Sequence, residues 1–575
     1  MKITKFSLII LFVLLFNICF SQLDFNSRKK FAKEDTLRGA LSAMRSCYDV
    51  LFYDLDIKVD IDNKFISGSN TIKFLAINDF QKLQIDLFAN MKIDKIELHN
   101  SSNEKFARKL NFTREFNAVF VEFPDTIKKE SVRYLKIFYS GNPLSAKNAP
   151  WDGGFSWKKD LEGKPWVGVS CQGTGASLWW PCKDHQSDEP NEMLIRITVP
   201  PGLMNVSNGR LKQKTILPDG WTKFEWFVSY PINNYNVTLN IANYKSFSDT
   251  YFNTAFKDTL TLDYFVLPYN YNKAILQFQQ VKLMLACFYN LFGEYPFLRD
   301  GFKLVETPYL GMEHQSCIAY GNNYTDGYLG RDLSGTGYIF DYIIIHEAAH
   351  EWWGNSITTN DIADMWIHEG FGTYAEALYI ECLYGFEAYL LYINSEKFKV
   401  VNDSPLIGKY NLNNEGSGDM YPKGALLIHT IRSIIDNDKL FLGILKDIQS
   451  SFKYHTLDSR DIEKYISDKS GIDFSDIFDL YLKSTIIPKL ILEIEEDPWD
   501  LKIAYRFDIG EVNEDEVPFF KMPVKITLKN DAFDFIYPST NWQKIIIRDM
   551  KIADFKVATD LFYIAEKIII VDNKK

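Results

Sequence analysis

His346-Glu347-Ala348-Ala349-His350 places two imidazoles four residues apart, with a carboxylate beside the first. On a helix, positions i and i+4 lie one turn apart on the same face, so both rings can reach one cation. Glu347, next to His346, is positioned to reach a water held by that cation. Zinc hydrolases commonly take three protein ligands and leave a fourth position open. Glu369, nineteen residues after His350, is the third candidate ligand, which gives one Zn²⁺ per chain. With only 8 histidines in 575 residues, the H-E-x-x-H pattern arises by chance in roughly one such sequence in a hundred. A helix whose histidines are merely satisfied in a core would leave the acid at 369 unexplained. His99, His185, His429 and His455 have no such context and read as surface or locally bonded residues.

Two helices must present these groups. Tyr338–Trp353 and Trp366–Leu383 carry apolar residues at helical spacing, and Gly354-Asn355 reads as the end of the first. The stretch 354–364, with Asn355, Thr358, Thr359 and Asn360, is loop-like and lets the chain reverse. Ala274–Leu291 and Lys423–Asp436 show the same helical spacing, giving a mostly helical domain over 248–488. Glu376, seven residues after Glu369, falls on the same helical face and can orient a ligand from behind. Before this region the pattern is different. Leu55, Ile57, Val59 and Ile61 alternate with acidic and basic residues, and Asp62-Asn63 turns the chain towards a returning strand, Ile66–Phe74. Short runs at Lys82–Asp86, Val119–Phe123, Tyr134–Tyr139, Leu194–Val199 and Asn236–Ile241 extend an antiparallel β domain over 22–247. Leu501–Phe507, Val524–Leu528, Lys544–Ile547 and Lys567–Val571 read as a small β-sandwich over 489–575. The fold class is therefore multidomain α+β.

Residues 1–21 have a positive start (Lys2, Lys5), an apolar run Phe6–Phe16, and small residues Cys19 and Ser21 before a cut at Gln22. That order is a secretory signal peptide, too short in its apolar core to span a bilayer comfortably. An exported, periplasmic or extracellular protein is expected, with no membrane span after cleavage. The net charge of −11, with no long basic cluster, argues against nucleic-acid binding through phosphate neutralisation. Six cysteines follow the leader without a C-x-x-C spacing, so neither a disulfide scaffold nor a cysteine-zinc module is indicated. One or two bridges are compatible with export, Cys171 and Cys182 being the nearest pair.

The metal pattern resembles that of the gluzincins of the aminopeptidase N and leukotriene hydrolase family, on the H-E-x-x-H at 346–350 with Glu369. Trp352, Gly354 and Asn355 after the second histidine agree, as do Trp366 and Glu369-Gly370-Phe371. The resemblance runs over residues 48–490 and is most specific over 309–425. It implies a thermolysin-like catalytic domain and hydrolysis of the first bond of peptides with a free N-terminus. The family's exopeptidase signature stands here as Leu310-Gly311-Met312-Glu313-His314, which implies that Gly311, Met312 and Glu313 bind substrate, Glu313 pairing with its α-amine. Gln172, in Cys171-Gln172-Gly173, matches a residue that helps hold the amine. Tyr421, before Pro422-Lys423-Gly424-Ala425, matches a tyrosine that donates to the oxyanion.

Three departures concern specificity and pH optimum rather than catalysis: Leu310 for glycine, His314 for asparagine (a titratable ring beside the amine site), and His368 for asparagine. Relatives that open lipid epoxides, endopeptidases with a thermolysin-like site, and metal-free scaffolds of the same fold are the competing readings. Glu313 argues against the endopeptidase, and the complete set of ligands and base argues against the scaffold. Larger relatives close the cleft with a helical domain; since 489–575 read as β here, a more open cleft, or one covered by the second subunit of a homodimer, is the expectation.

Overall fold

The computed structural model describes residues 30–101, 107–510, 519–529 and 532–571; the expected leader lies outside them. The alternation at 55–61 belongs to a long strand, Tyr48–Asp60, with Leu55, Ile57 and Val59 buried. It pairs antiparallel with Phe65–Ala76 and parallel with Glu192–Val199 at the centre of a ten-stranded sheet. A second sheet of four strands includes Pro165–Ser170 and Leu239–Ala242, and the loop after Ser170 carries Gln172. The strand expected from Asn236 starts only at Leu239. Residues Asn234–Asn236 form a tight turn instead, because the Asn233 side chain accepts from the Tyr235 N–H and bends the backbone.

The catalytic region is mostly helical around a five-stranded sheet whose spatial order is Lys245–Asn253, Asp258–Val266, Phe302–Glu306, Ile318–Tyr320 and Gly311–Met312. The short strand Gly311–Met312 is therefore an edge. The helix expected over Ala274–Leu291 is two, Tyr271–Gln277 and Gln280–Phe292. The break turns both Gln277 and Gln280 towards Asp326, while Gln277 also donates to Asp341. The ligand helix is shorter than its apolar pattern, Tyr342–Ala349, since the Asp341 side chain caps it through the Ile344 N–H. It ends at His350, and Gly354 (φ +133°) then re-aims the chain. A Cβ there would sit 3.3 Å from the His368 ring and 3.4 Å from His350 Nδ1, so both conformation and space require glycine.

The long helix Trp366–Tyr384 packs against Pro422–Ile435 through facing glycines. A Cβ on Gly424 would meet Gly370 Cα at 2.9 Å, which shows how closely the two backbones approach. Cys287 and Cys382, on helices Gln280–Phe292 and Trp366–Tyr384, form the disulfide. The pair nearest in sequence, Cys171 and Cys182, stays unbridged: both are buried thiols, Cys171 donating to the Tyr235 carbonyl. Helix packing, not chain proximity, decides which sulfurs meet.

The C-terminal region is a four-stranded sheet, ordered Gln543–Arg548, Asp500–Asp508, Lys489–Glu496 and Ala565–Ile570, with a two-stranded ribbon Val524–Lys529/Ala532–Ile536. Leu492, Ile494, Ile503, Phe507, Phe520 and Ile526 share one core with the catalytic helices. Among the described residues no helix is long and apolar enough to cross a membrane.

Candidate active site

The two histidines have their outer nitrogens committed. His346 Nδ1 donates to Glu376 Oε1 at 2.7 Å, and Glu376 Oε2 accepts from the Tyr392 hydroxyl at 2.6 Å. His350 Nδ1 donates to the Trp353 carbonyl at 2.9 Å. With Nδ1 of each ring donating to an oxygen, the neutral tautomer turns a lone pair out through Nε2. Those Nε2 atoms are 3.2 Å apart, and Glu369 Oε2 lies 3.5 Å from one and 3.4 Å from the other. All three residues are buried, and Glu369 Oε2 has no hydrogen-bond partner.

Three buried lone pairs facing one another need positive charge among them. Protons on both imidazole Nε2 atoms would point at each other across 3.2 Å, whereas one cation satisfies all three donors. Ligands on a tetrahedral zinc with bonds of ~2.0–2.1 Å are ~3.3 Å apart. The cage has that size, and the donor set suits zinc. Glu376 provides the orienting partner that histidine ligands ordinarily have.

Glu347 borders the cage and faces the edge strand: a Cβ on Gly311 would come within 2.6 Å of Glu347 Oε1. Burial pushes its carboxyl up to about 8, so it can exchange a proton near neutral pH. Glu313 is 2% exposed. Gln172 Nε2 donates to Glu313 Oε1 at 2.7 Å and to Glu369 Oε1 at 3.0 Å, joining the cage to a second buried carboxylate. Burial raises Glu313 to about 6. Met312, 3% exposed, flanks it on the edge strand, which pairs with Ile318–Tyr320 on one side only. Tyr421 stands at the start of helix Pro422–Ile435, its ring 5.9 Å from that of His346 and nearly parallel. Burial holds its hydroxyl well above the usual phenol value, so it stays a donor.

The structure thus brings His346, His350, Glu369, Glu347, Glu376, Glu313, Gln172, Gly311 and Tyr421 together, with Met312 beside Glu313 on the edge strand. One expectation changes. His314 is fully buried with neither ring nitrogen bonded, and burial pushes it down to about 3. It is a neutral packing ring, not a titrating neighbour of the amine site. His368 is likewise held neutral by burial, at about 3, accepting from the Thr359 N–H. Leu310 packs half-buried on the core.

Two residues at the site escape sequence reasoning. Tyr342 stacks on His346 with centroids 5.1 Å apart; its i, i+4 spacing to His346 was the available signal. Tyr235 is buried among Glu313 and Glu369, and nothing in its local sequence marks it.

Two family models match the chain: the peptidase M1 N-terminal domain over residues 50–235 and the peptidase family M1 domain over residues 277–481. The chain belongs to the peptidase M1 family. Aminopeptidase 2 of Candida albicans is 23% identical over 81% of this chain and 50% of its own length. Leukotriene A-4 hydrolase of Xenopus laevis is 21% identical over 75% of this chain and 70% of its own. Probable aminopeptidase 1 of Saccharolobus solfataricus is 21% identical over 55% of this chain and 41% of its own. The chain spans about half the length of the first and last of these relatives. Among solved structures, the M1 zinc metallopeptidase of Deinococcus radiodurans superposes with a TM-score of 0.61 over 77% of this chain and 94% of that one, at 18% identity. The N-terminal β region and the helical peptidase region of the M1 family are therefore those of this chain. The solved neighbour is described as a zinc metallopeptidase, and the donor set of His346, His350 and Glu369 fits that ion.

Proposed function

We propose that this M1 peptidase is a zinc aminopeptidase that releases the first residue of peptides with an unblocked N-terminus. The observation that carries the reading is Glu313, a carboxylate buried beside the metal cage and pinned by Gln172 at 2.7 Å. A buried acid at that place favours an ammonium over the neutral amide of an internal peptide segment. It stands next to the cage: Gln172 bonds Glu313 and Glu369 at once, and ligand atoms of Glu313, Glu347 and His350 lie within 4.8 Å of one another.

His346, His350 and Glu369 would hold the zinc, which when bound polarises a carbonyl and acidifies water towards a pKa of ~7. Glu347 accepts the proton of the attacking water and passes it to the leaving amine. The Tyr421 hydroxyl donates to the oxygen on which negative charge develops. The free side of edge strand Gly311–Met312 offers backbone groups to an extended peptide, and Gly311 keeps that approach clear of side-chain atoms next to Glu347.

Export is part of the same proposal. A Cys287–Cys382 bridge suits an oxidising compartment, in keeping with the leader-like residues 1–21. Purified protein should hydrolyse aminoacyl-arylamides, lose that activity to a chelator and regain it with zinc. Activity indifferent to chelation would remove the metal from the reaction. Comparable kcat/KM on free and N-acetylated peptides would remove the amine anchor.

A further inference from the structure

A cavity of about 180 Å³ opens beside the metal cage, and the proposed reaction leaves it without an occupant. It shares walls with the cage through Tyr342, Glu376 and Tyr421. None of Gln172, Tyr235 and Glu313, which surround the amine end, lines it. Its walls Tyr342, Tyr421 and Glu376 all pack on or bond His346, which makes it a place for the part of a peptide beyond the scissile bond. An enclosed space of ~150 Å³ is enough to admit a benzene ring. The wall is aromatic and continuous with the cage: Tyr328 packs edge-on to Tyr342 at 5.5 Å, and Tyr342 stacks on His346. Phe340 and Tyr392 close the deeper side, 5.9 Å apart.

The charges lining this space differ in what they already hold. Lys399 is paired with Glu396 at 2.6 Å. Glu376 is taken by His346 and Tyr392. Asp332 turns into its own loop, accepting from the N–H groups of Ser334, Gly335 and Gly337. Arg331, at the mouth, is left as the lining cation that no ion pair ties to a carboxylate among the described residues. Its backbone is fixed. Tyr328 and Arg331 exchange hydrogen bonds of 2.9 and 3.1 Å across a two-residue turn, with Leu329 at φ +51° and Gly330 at φ +81°. Leu329 is 47% exposed, so burial does not explain its left-handed backbone. The Leu329 N–H donates to Asn322 Oδ1 at 2.7 Å, which fixes this turn and with it the backbone of Tyr328 and Arg331 on the cavity wall.

We propose that this cavity receives an aromatic residue immediately after the scissile bond and that Arg331 binds its free α-carboxylate, making dipeptides with an aromatic second residue the favoured substrate class. The inference rests on the aminopeptidase reading and gives that site its second end. An acidic group meets the substrate's ammonium on one side of the metal and a guanidinium meets its carboxylate on the other.

The test compares Ala-Phe, Ala-Phe-amide, Ala-Gly and alanyl-p-nitroanilide on zinc-loaded full-length protein, wild type, Arg331→Gln and Arg331→Lys. Wild type should use Ala-Phe at least about fivefold better in kcat/KM than Ala-Phe-amide, mainly through KM, as a partly exposed charge pair allows. Arg331→Gln should remove that preference, keep alanyl-p-nitroanilide turnover within about twofold, and be partly rescued by Arg331→Lys, which keeps the charge but not the fork. Equal use of Ala-Phe and its amide by wild type, or an equal loss on all substrates in Arg331→Gln, overturns the carboxylate site. Equal use of Ala-Gly and Ala-Phe overturns the aromatic preference. Absence of turnover on alanyl-p-nitroanilide as well would overturn the aminopeptidase reading itself, a result distinct from the others.

Discussion

His346, His350 and Glu369 come from one short stretch of chain on two adjoining helices, whereas the groups at the amine end come from segments far apart. Gln172 is 141 residues from Glu313 and 197 from Glu369, and bonds both. Tyr235 arrives from a third place, and its neighbour Asn236 donates to Asn355 Oδ1 at 2.8 Å while Asn355 donates to the Glu313 carbonyl. The metal cage is thus a local construction, each ring nitrogen settled by a partner within the catalytic helices and their turns. The proposed amine anchor takes Gln172 and Tyr235 from the N-terminal β region, so its full set of groups forms only where that region meets the catalytic one. Chemistry and specificity rest on different parts of the fold and should be separable by substitution.

The largest separation is expected at Glu347. Glu347→Gln keeps the size of the side chain and touches no metal ligand atom, yet removes the proton acceptor. Activity should fall about 1,000-fold or more, within the upper range for losing a general base, while zinc measured by elemental analysis stays at one per chain. A variant that retains activity would move the base elsewhere. One that loses its zinc would show that the cage is less independent than its local bonding suggests.

The cage was legible in the sequence for the reason that makes it local. A helix converts the spacing of His346 and His350 into a shared face, and the next helix supplies Glu369 at short range. The strand at Tyr48–Asp60 was legible because its alternation is also local. What escaped reading depends on packing between distant elements. Asp341 shortens the ligand helix by capping it, although Tyr338-Ile339-Phe340 continue the apolar pattern; Phe340 instead packs on Tyr379 and Tyr392. The bridge joins Cys287 and Cys382 because their helices face each other, which no spacing of cysteines announces. Gln172 could be named only through family resemblance, and Tyr235 not at all, since nothing in its own stretch of chain marks it.

The amine end provides the second, smaller test of the contrast. Glu313→Gln retains an oxygen to accept from Gln172 but no charge for an ammonium. The loss in kcat/KM on free-amine peptides should be about 10- to 100-fold, the range for a charged hydrogen bond. Zinc content should be unchanged, and discrimination against N-acetylated substrates should shrink. Loss of zinc from this variant would mean that the Gln172 bridge to Glu369 makes the two ends one unit.

A buried carboxyl that has no part in the chemistry bounds the comparison from the other side. Asp364, fully buried just before helix Trp366–Tyr384, accepts through Oδ1 from Tyr410 (2.8 Å) and Ser459, while Oδ2 has no partner. Burial pushes its carboxyl from 3.8 up to about 6, the Ser459 and Tyr410 hydroxyls opposing. Because the folded state holds this proton more tightly than the unfolded one, the group's stabilising contribution is complete below pH 3.8 and is lost as pH rises through about 6. Two units correspond to about 3 kcal/mol at most. Asp364→Asn keeps an oxygen for both hydroxyls and cannot ionise. Relative to wild type the variant should therefore gain stability between pH 4 and pH 7, read as a growing difference in urea midpoint. A difference that stays constant with pH would show that Asp364 is not charged at a cost in the fold. Zinc affinity and kcat at neutral pH should move little, since the residue touches neither ligand nor base; if they move together with stability, the helix carrying Glu369 depends on its first turn as strongly as on the metal.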